Sequence, residues 1–260
     1  MFPETWQLLL ALLAAFFIGL SKTGIAGLGI LVAAIFANLM PAKLSSGFVL
    51  PMLILGDLVA VYHYRQHANW KQALRLFPWT IPGILLGFAT FGRINDAQAR
   101  MLIGAIIALM VVWHLLRKWH ARSSAAKAAA GAAVSTPALQ KPQHLLEVAG
   151  LGISAGFTTL VANAAGPLMT LYLLAMRMPK LEFVGTAAVF FCGLNLLKVP
   201  FMVNLGSITP QSLLWNLALA PAVLAGTWLG RIVLKRIPQQ WFEYTALFLS
   251  AAAATKMLLS

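Results

Sequence analysis

The run from Phe183 to Leu205 is almost wholly apolar and has the length that a helix needs to cross a bilayer, yet it contains Asn195 and Lys198. A charged side chain inside such a run costs about 3 kcal/mol on membrane-insertion scales. Asn195 and Lys198 are three residues apart, so they project from one face of a helix. We expect that face to contact other helices or a water-filled cavity. The alternative is that Lys198 extends its ammonium to the membrane interface.

The composition indicates an all-α, polytopic membrane protein surrounded by lipid. Hydrophobic residues make up 60% and charged residues 10% of the 260 residues, which is more apolar sequence than a soluble core needs. The formal net charge of +13 raises the question of nucleic-acid binding. However, the basic residues lie in short connections between apolar segments, as they do in proteins with many membrane spans. We therefore expect no nucleic-acid partner.

Ten apolar segments divide the chain into two halves. They lie at about 6–20, 24–40, 44–64, 74–90 and 98–116, and again at about 145–160, 164–176, 183–205, 212–230 and 240–259. The predicted organisation is a first transmembrane repeat at 1–118, a basic cytoplasmic linker at 119–143 and a second transmembrane repeat at 144–260.

The two halves align at an offset of 138 residues, which is the separation of Asp57 and Asn195. Further aligned pairs are Pro41 with Pro179, Gly47 with Gly185 and, after one extra residue, Pro82 with Pro221 and Gly87 with Gly226. Because each half has an odd number of segments, the halves are predicted to be inserted in opposite orientations, as inverted repeats.

Loop charges predict the orientation. The linker and the connections Arg65–Arg75, Arg177–Lys180 and Arg231–Arg236 carry basic residues, whereas the connection Asn204–Gln211 has none. The positive-inside rule therefore places the basic connections in the cytoplasm and both termini on the opposite side of the membrane. The residues that depart from this pattern are Lys43, Arg93, Arg100 and Lys256.

The first two segments of each half are short and interrupted. Trp6–Leu20 has about 15 residues, or roughly 22 Å of helix, and breaks at residues 21–24. The second half breaks at residues 161–167. Interrupted segments at matching positions are a strong sequence indicator of a transporter's binding site, because the freed backbone N–H groups attract anions. The alternative is a pair of tight turns between spanning helices, so whether these segment pairs span or re-enter the membrane stays open.

Polar residues at both breaks suit an oxyanion, whose several acceptor oxygens need several donors. For Lys22, the alternative is an interfacial lysine at a loop. No nucleotide-binding or metal-binding motif and no enzyme motif is present, so we expect no cofactor, no metal and no enzymatic activity. The predicted substrate-binding residues are Ser21, Lys22, Thr23, Gly24, Asn163, Gly166, Asn195 and Lys198.

Asp57 is predicted to be a coupling or gating residue. It is the one acid deep inside an apolar run, since the others lie at segment ends. An intramembrane Asp can exchange a proton or pair with a Lys. The first role predicts coupling of transport to protons. The second makes Asp57 a structural acceptor, paired with Lys22 or Lys198.

These landmarks together resemble the TauE/SafE family of bacterial membrane permeases, sometimes called sulfite exporters. The residues that carry the resemblance are the break Gly24-Ile25-Ala26-Gly27-Leu28-Gly29, then Pro41, Gly47, Asp57, Gly166-Pro167, Gly185, the run Gly193 to Lys198, Gly226 and Gly230-Arg231. The resemblance implies transport of small sulfur-containing anions, such as sulfite, thiosulfate, sulfoacetate or other organosulfonates, across the bacterial inner membrane. Both termini would then lie in the periplasm.

The resulting hypothesis is a secondary transporter that works by alternating access. Its rivals are an anion channel of the same architecture and a non-transporting membrane scaffold. The sequence makes no prediction about the oligomeric state.

Overall fold

The computed structural model describes residues 4–91 and 145–259, with scattered residues between 93 and 112. The predicted linker at 119–143 and much of the segment at 98–116 lie outside the described residues. The described helices are α1 Thr5–Thr23, α2 Gly29–Leu39, α3 Ala42–Tyr64, α4 Trp70–Phe91, α5 Leu145–Ala162, α6 Ala165–Ala175, α7 Lys180–Asn204, α8 Pro210–Arg236 and α9 Gln239–Leu259.

The described residues are all-α, and the protein is a multi-pass membrane protein, as predicted. Among them, six helices are long and apolar enough to cross a membrane: α1, α3, α4, α5, α7 and α8. By contrast, α2 and α6 have 11 residues each, which is about 16 Å of helix and half of a 30 Å hydrocarbon core. In each half, a short helix thus follows one that is long enough to cross the membrane.

The first break lies later in the chain than the sequence predicts. Helix α1 continues to Thr23, and the Gly24 N–H donates to the Leu20 carbonyl at 2.9 Å. Lys22 therefore lies on the last turn of α1, and the break comprises residues 24–28. The predicted helix end at Leu20 is wrong because hydrophobicity falls at Ser21, whereas the backbone hydrogen bonds continue for another turn.

The second break is shorter than the predicted range 161–167. Helix α5 continues to Ala162, and α6 begins at Ala165. Asn163 has a φ of 53°, in the left-handed region that asparagine tolerates better than most residues. Pro167 fits inside the first turn of α6, where a helix needs no N–H from it.

Helices α3 and α7 lie side by side at the centre and run antiparallel. A Cβ on Gly185, near the start of α7, would lie 2.7 Å from the Tyr64 carbonyl oxygen at the end of α3. A Cβ on Gly47, near the start of α3, would overlap Ser207, just after α7. We name the membrane face with residues 65–69 and 176–179 the basic face, and the face with residues 205–209 the far face.

Two parallel helix pairs flank this centre, and each joins the first helix of one half to the fourth helix of the other. In the pair α1–α8, Gly19 and Gly226 each lie against the backbone of the opposite helix. In the pair α5–α4, Gly156 and Gly83 do the same. This exchange of partners and the antiparallel α3 and α7 are what inverted repeats require, although the opposite insertion of the complete halves stays a prediction.

The same contacts correct the alignment of the fourth helices. Gly83 and Gly87 of α4 pack on α5 as Gly226 and Gly230 of α8 pack on α1, each pair four residues apart. The alignment of Gly87 with Gly226 is therefore wrong by one helical turn. Prolines and glycines recur in both helices at similar spacing, so the sequence alone did not distinguish the two registers.

We expect Gly156→Ala to lower the free energy of unfolding by about 1–3 kcal/mol, because the added methyl group overlaps the α4 backbone and forces the helices apart. Gly150→Ala, on the same helix but with open space around it, is the matched control and should be neutral or slightly stabilising. Melting temperatures of the purified proteins in detergent measure both. Equal melting temperatures would contradict the close packing of α4 and α5.

Candidate functional site

A cavity of about 120 Å³ lies between the two chain breaks. Helix α1 ends at it, α2 and α6 begin at it, and α3, α5 and α7 complete its wall. The polar side chains that line it are Ser21, Lys22, Asp57, Thr159, Asn163, Thr170 and Asn195. The larger apolar side chains that line it are Leu53, Pro167, Met169, Phe183, Val184 and Phe191.

A buried ion pair forms the polar end of this cavity. The Lys22 Nζ lies 2.7 Å from the Asp57 Oδ1, and the Asp57 side chain is 0% exposed. The Asn195 Nδ2 donates to the Asp57 Oδ2 at 2.7 Å. Of the two candidate lysine partners, Asp57 thus pairs with Lys22 of α1 and not with Lys198. The structure also brings the two aligned residues Asp57 and Asn195 into contact.

Two neighbours place the Lys22 side chain along the cavity wall. A Cβ on Gly56 would lie 3.0 Å from the Lys22 Cγ, so the missing side chain at Gly56 makes room for the lysine stem. The Lys22 Nζ also lies 4.6 Å from the centre of the Phe191 ring, within the range of a cation–π interaction. The Lys22 side chain is 13% exposed, so a solute in the cavity has access to it.

Lys198 lies behind the cavity wall. It is fully buried, so the interfacial alternative is wrong. Its Nζ donates to the Asn163 Oδ1 at 2.5 Å and to the Thr159 Oγ1 at 3.2 Å. The Asn163 Nδ2 in turn donates to the Ser46 carbonyl at 2.9 Å. The sequence placed Lys198 on the anion path, whereas in this conformation Thr159 and Asn163 separate it from the cavity.

The structure brings six of the predicted site residues to the cavity: Ser21, Lys22, Asp57, Asn163, Gly166 and Asn195. Thr23 and Gly24 are not among the lining residues. The Thr23 Oγ1 donates to the Thr227 carbonyl at 2.8 Å, and Gly24 packs against Gly230 of α8. Consecutive residues of a helix point in different directions, so Lys22 faces the cavity while Thr23 faces α8.

Sequence reasoning missed Ser46, Leu53 and Phe191. Leu53 and Phe191 each precede a polar residue of the site, Asp57 and Asn195, by four positions and line the cavity with it. Helical periodicity could have found both, because residues four apart share a face. Ser46 carried no such signal, since its role depends on contacts with residues more than a hundred positions away.

The electrostatics of the site favour a small anion. Two basic side chains, Lys22 on the cavity wall and Lys198 behind it, stand against one acidic side chain, Asp57. Gly29 and Gly166, in the first turns of α2 and α6, also line the cavity, and the first N–H groups of a helix lack acceptors within the helix. Among the described residues, no group of three His, Cys, Asp or Glu side chains could hold a metal ion.

We expect Lys22→Met to destabilise the protein by about 3–5 kcal/mol, because it leaves the wholly buried Asp57 carboxylate unpaired. The double variant Lys22→Met with Asp57→Asn removes both charges and should regain most of that loss. The exposed Lys71→Met is the control. Melting temperatures of the unaltered protein, Lys22→Met, Asp57→Asn and the double variant complete a double-mutant cycle, and Lys71→Met is measured beside them. Additive effects of the two single substitutions would show that the pair contributes nothing.

A comparison with known protein families matches residues 9–257 to the family described as Sulfite exporter TauE/SafE. Comparisons with curated proteins and with solved structures gave no match.

Proposed function

Because the family match covers nearly the whole chain, this protein belongs to the TauE/SafE family of sulfite exporters, and we propose that it is a secondary transporter of small organosulfonate anions that works by alternating access. The observation that carries the proposal is the pair of Lys22 and Asp57 on the wall of a cavity between two chain breaks. We place the protein in the bacterial inner membrane, with the basic face in the cytoplasm and both termini in the periplasm.

The shape and lining of the cavity favour a substrate with a charged head and a short organic tail. The polar side chains of Lys22, Asp57 and Asn195 contact one another on the cavity wall. On the side towards the start of α7, the wall is formed by Phe183, Val184 and similar apolar residues. An inorganic oxyanion needs hydrogen-bond donors on all sides, whereas a sulfonate with a short alkyl group needs them only around its head. We therefore favour organosulfonates over sulfite or thiosulfate.

The ion pair also supports coupling to protons. A substrate anion and the Asp57 carboxylate compete for the Lys22 ammonium. A proton on Asp57 removes that competition, because a neutral carboxyl group no longer holds the ammonium by charge. Proton binding at Asp57 and anion binding at Lys22 therefore strengthen each other, and by linkage the effect is reciprocal. The proton and the substrate anion would then cross the membrane in the same direction.

We expect Asp57→Asn to bind ethanesulfonate at least as well as the unaltered protein does, and the double variant Lys22→Met with Asp57→Asn to bind roughly ten- to hundredfold more weakly. The reason is that a charge-assisted hydrogen bond is worth on the order of 1.5–3 kcal/mol. The two variants differ only in the cation and leave no unpaired carboxylate. Isothermal titration calorimetry in detergent measures the affinities, with Lys71→Met in the Asp57→Asn background as control. Equal affinities would remove Lys22 from the site.

In proteoliposomes, Asp57→Asn should still exchange ethanesulfonate across the membrane but lose net flux driven by a pH gradient, because residue 57 can then neither bind nor release a proton. Radiolabelled exchange and gradient-driven uptake are measured on the same preparation. If gradient-driven uptake persists at the rate of the unaltered protein, Asp57 has a structural role only.

The same preparation separates the transporter from its two rivals. A transporter gives flux that saturates with substrate concentration, whereas a channel of the same architecture gives flux that rises with concentration well beyond the binding range. A scaffold gives no flux and no stabilisation by the anion.

A further inference from the structure

We propose that Ser46 and Asn163 close the far-face entrance of the cavity, and that Lys198, which Asn163 and Thr159 cover, is the cation that meets the anion when this entrance opens. The inference rests on the proposed transport function. It assigns one lysine to each access state, with Lys22 facing the basic face and Lys198 facing the far face.

Lys198 is buried without a counter-ion among the described residues. Its ammonium contacts only the neutral side chains of Thr159 and Asn163, and no carboxylate lies within ion-pair distance of it in the described part of the chain. An ammonium buried in a membrane segment without a counter-ion is unfavourable, and such residues mark ion pathways. The cavity seen in this conformation does not use Lys198, which implies a second conformation that does.

The cavity extends towards one membrane face only. On α7 it is lined by Val184, Ala187, Ala188 and Phe191, which lie between the basic face and Asn195. The aligned residues of α3 are Ser46, Val49, Leu50 and Leu53, which lie between the far face and Asp57. Of these four, Leu53 alone is among the lining residues, and the other three are buried in packing. The cavity thus extends along α7 towards the basic face and ends at Leu53 on α3.

On the far side of the cavity, hydrogen bonds hold the end of α5 against α3. The Ser46 Oγ donates to the Leu160 carbonyl at 3.0 Å, and the Asn163 side chain donates to the Ser46 carbonyl at 2.9 Å. These bonds seal the end of α5 onto α3. Breaking them frees the Asn163 side chain, which is one of the two groups that cover Lys198. Opening the entrance and exposing the lysine are therefore one event.

The corresponding residues of the other half of the chain are apolar. Val184 is the residue aligned with Ser46. Gly19 of α1 and Gly156 of α5 occupy equivalent packing positions. Ala26 follows Gly19 by seven positions and Asn163 follows Gly156 by seven, so Ala26 corresponds to Asn163. Val184 and Ala26 both line the open cavity and have no side-chain polar groups with which to bond. The hydrogen bonds of Ser46 and Asn163 are thus present on the far side of the cavity. The corresponding residues on the basic side, Val184 and Ala26, cannot form them.

The test uses single cysteines in a Cys192→Ala background, with a membrane-impermeant cationic thiosulfonate reagent applied from each side of oriented proteoliposomes. Val49→Cys reports the far side, and Ala187→Cys, its aligned position, reports the basic side. In the otherwise unaltered protein we expect Ala187→Cys to react from the basic face and Val49→Cys to be unreactive.

Asn163→Gly is the variant that opens the entrance. Glycine keeps the left-handed backbone of this position without strain and removes only the amide, so the fold is retained. We expect the labelling rate of Val49→Cys from the far face to rise at least tenfold and that of Ala187→Cys to fall. Ser46→Ala, which breaks the bond to Leu160, is a second variant and should act in the same direction. If Val49→Cys stays unreactive in both variants, the proposed closure is wrong.

Lys198→Met tests the second half of the proposal by the sidedness of transport. We expect the KM for ethanesulfonate to rise when the anion is applied from the far face, by a factor at least ten times that seen from the basic face. The melting temperature should be equal to or above that of the unaltered protein. Equal changes of KM from both faces, or a lower melting temperature, would mean that Lys198 is structural. The labelling experiment needs no transport, so absence of flux would remove the proposed function while labelling still decides the closure.

Discussion

Asp57 is the group on which the centre of this structure depends. A carboxylate wholly buried in a membrane protein is stable only when its charge is paired and its oxygens are hydrogen-bonded. Here one oxygen faces the ammonium of Lys22 on α1, and the other accepts from the amide of Asn195 on α7. A single side chain of α3 thereby joins helices from both halves at the level of the cavity. The same pair that holds the helices together is the one a substrate anion would have to disturb.

Close packing by glycine makes that junction possible. Where α1 meets α8 and α4 meets α5, glycines let one backbone approach the other without an intervening side chain, as is common in membrane helix pairs. In the absence of a hydrophobic driving force between helices in lipid, such contacts supply much of the association energy. They also fix the rotation of α1 about its axis, which turns Lys22 to the cavity and Thr23 to α8.

The two chain breaks differ in a way that relates structure to transport. At the second break, Asn163 has hydrogen-bonding partners on both α3 and α7, so that break is held shut against α3. At the first break, residues 26–29 include Ala26, Gly27 and Gly29, which line the open cavity. Two breaks that occupy related positions but differ in polar contacts would give the one open and one closed path that the proposed alternating access requires of any single conformation.

The sequence by itself determined what depends on position along the membrane normal. Hydrophobicity and length predicted an all-helical, multi-pass protein, an interruption near the start of each half, and the position of Asp57, Asn195 and Lys198 within apolar segments. Tertiary structure decided what depends on rotation about a helix axis and on the choice of neighbour. It selected Lys22 and not Lys198 as the partner of Asp57, and it placed Lys198 behind Asn163. The physical reason is that transfer into lipid depends on each segment alone, whereas ion pairs and glycine contacts join residues far apart in the chain.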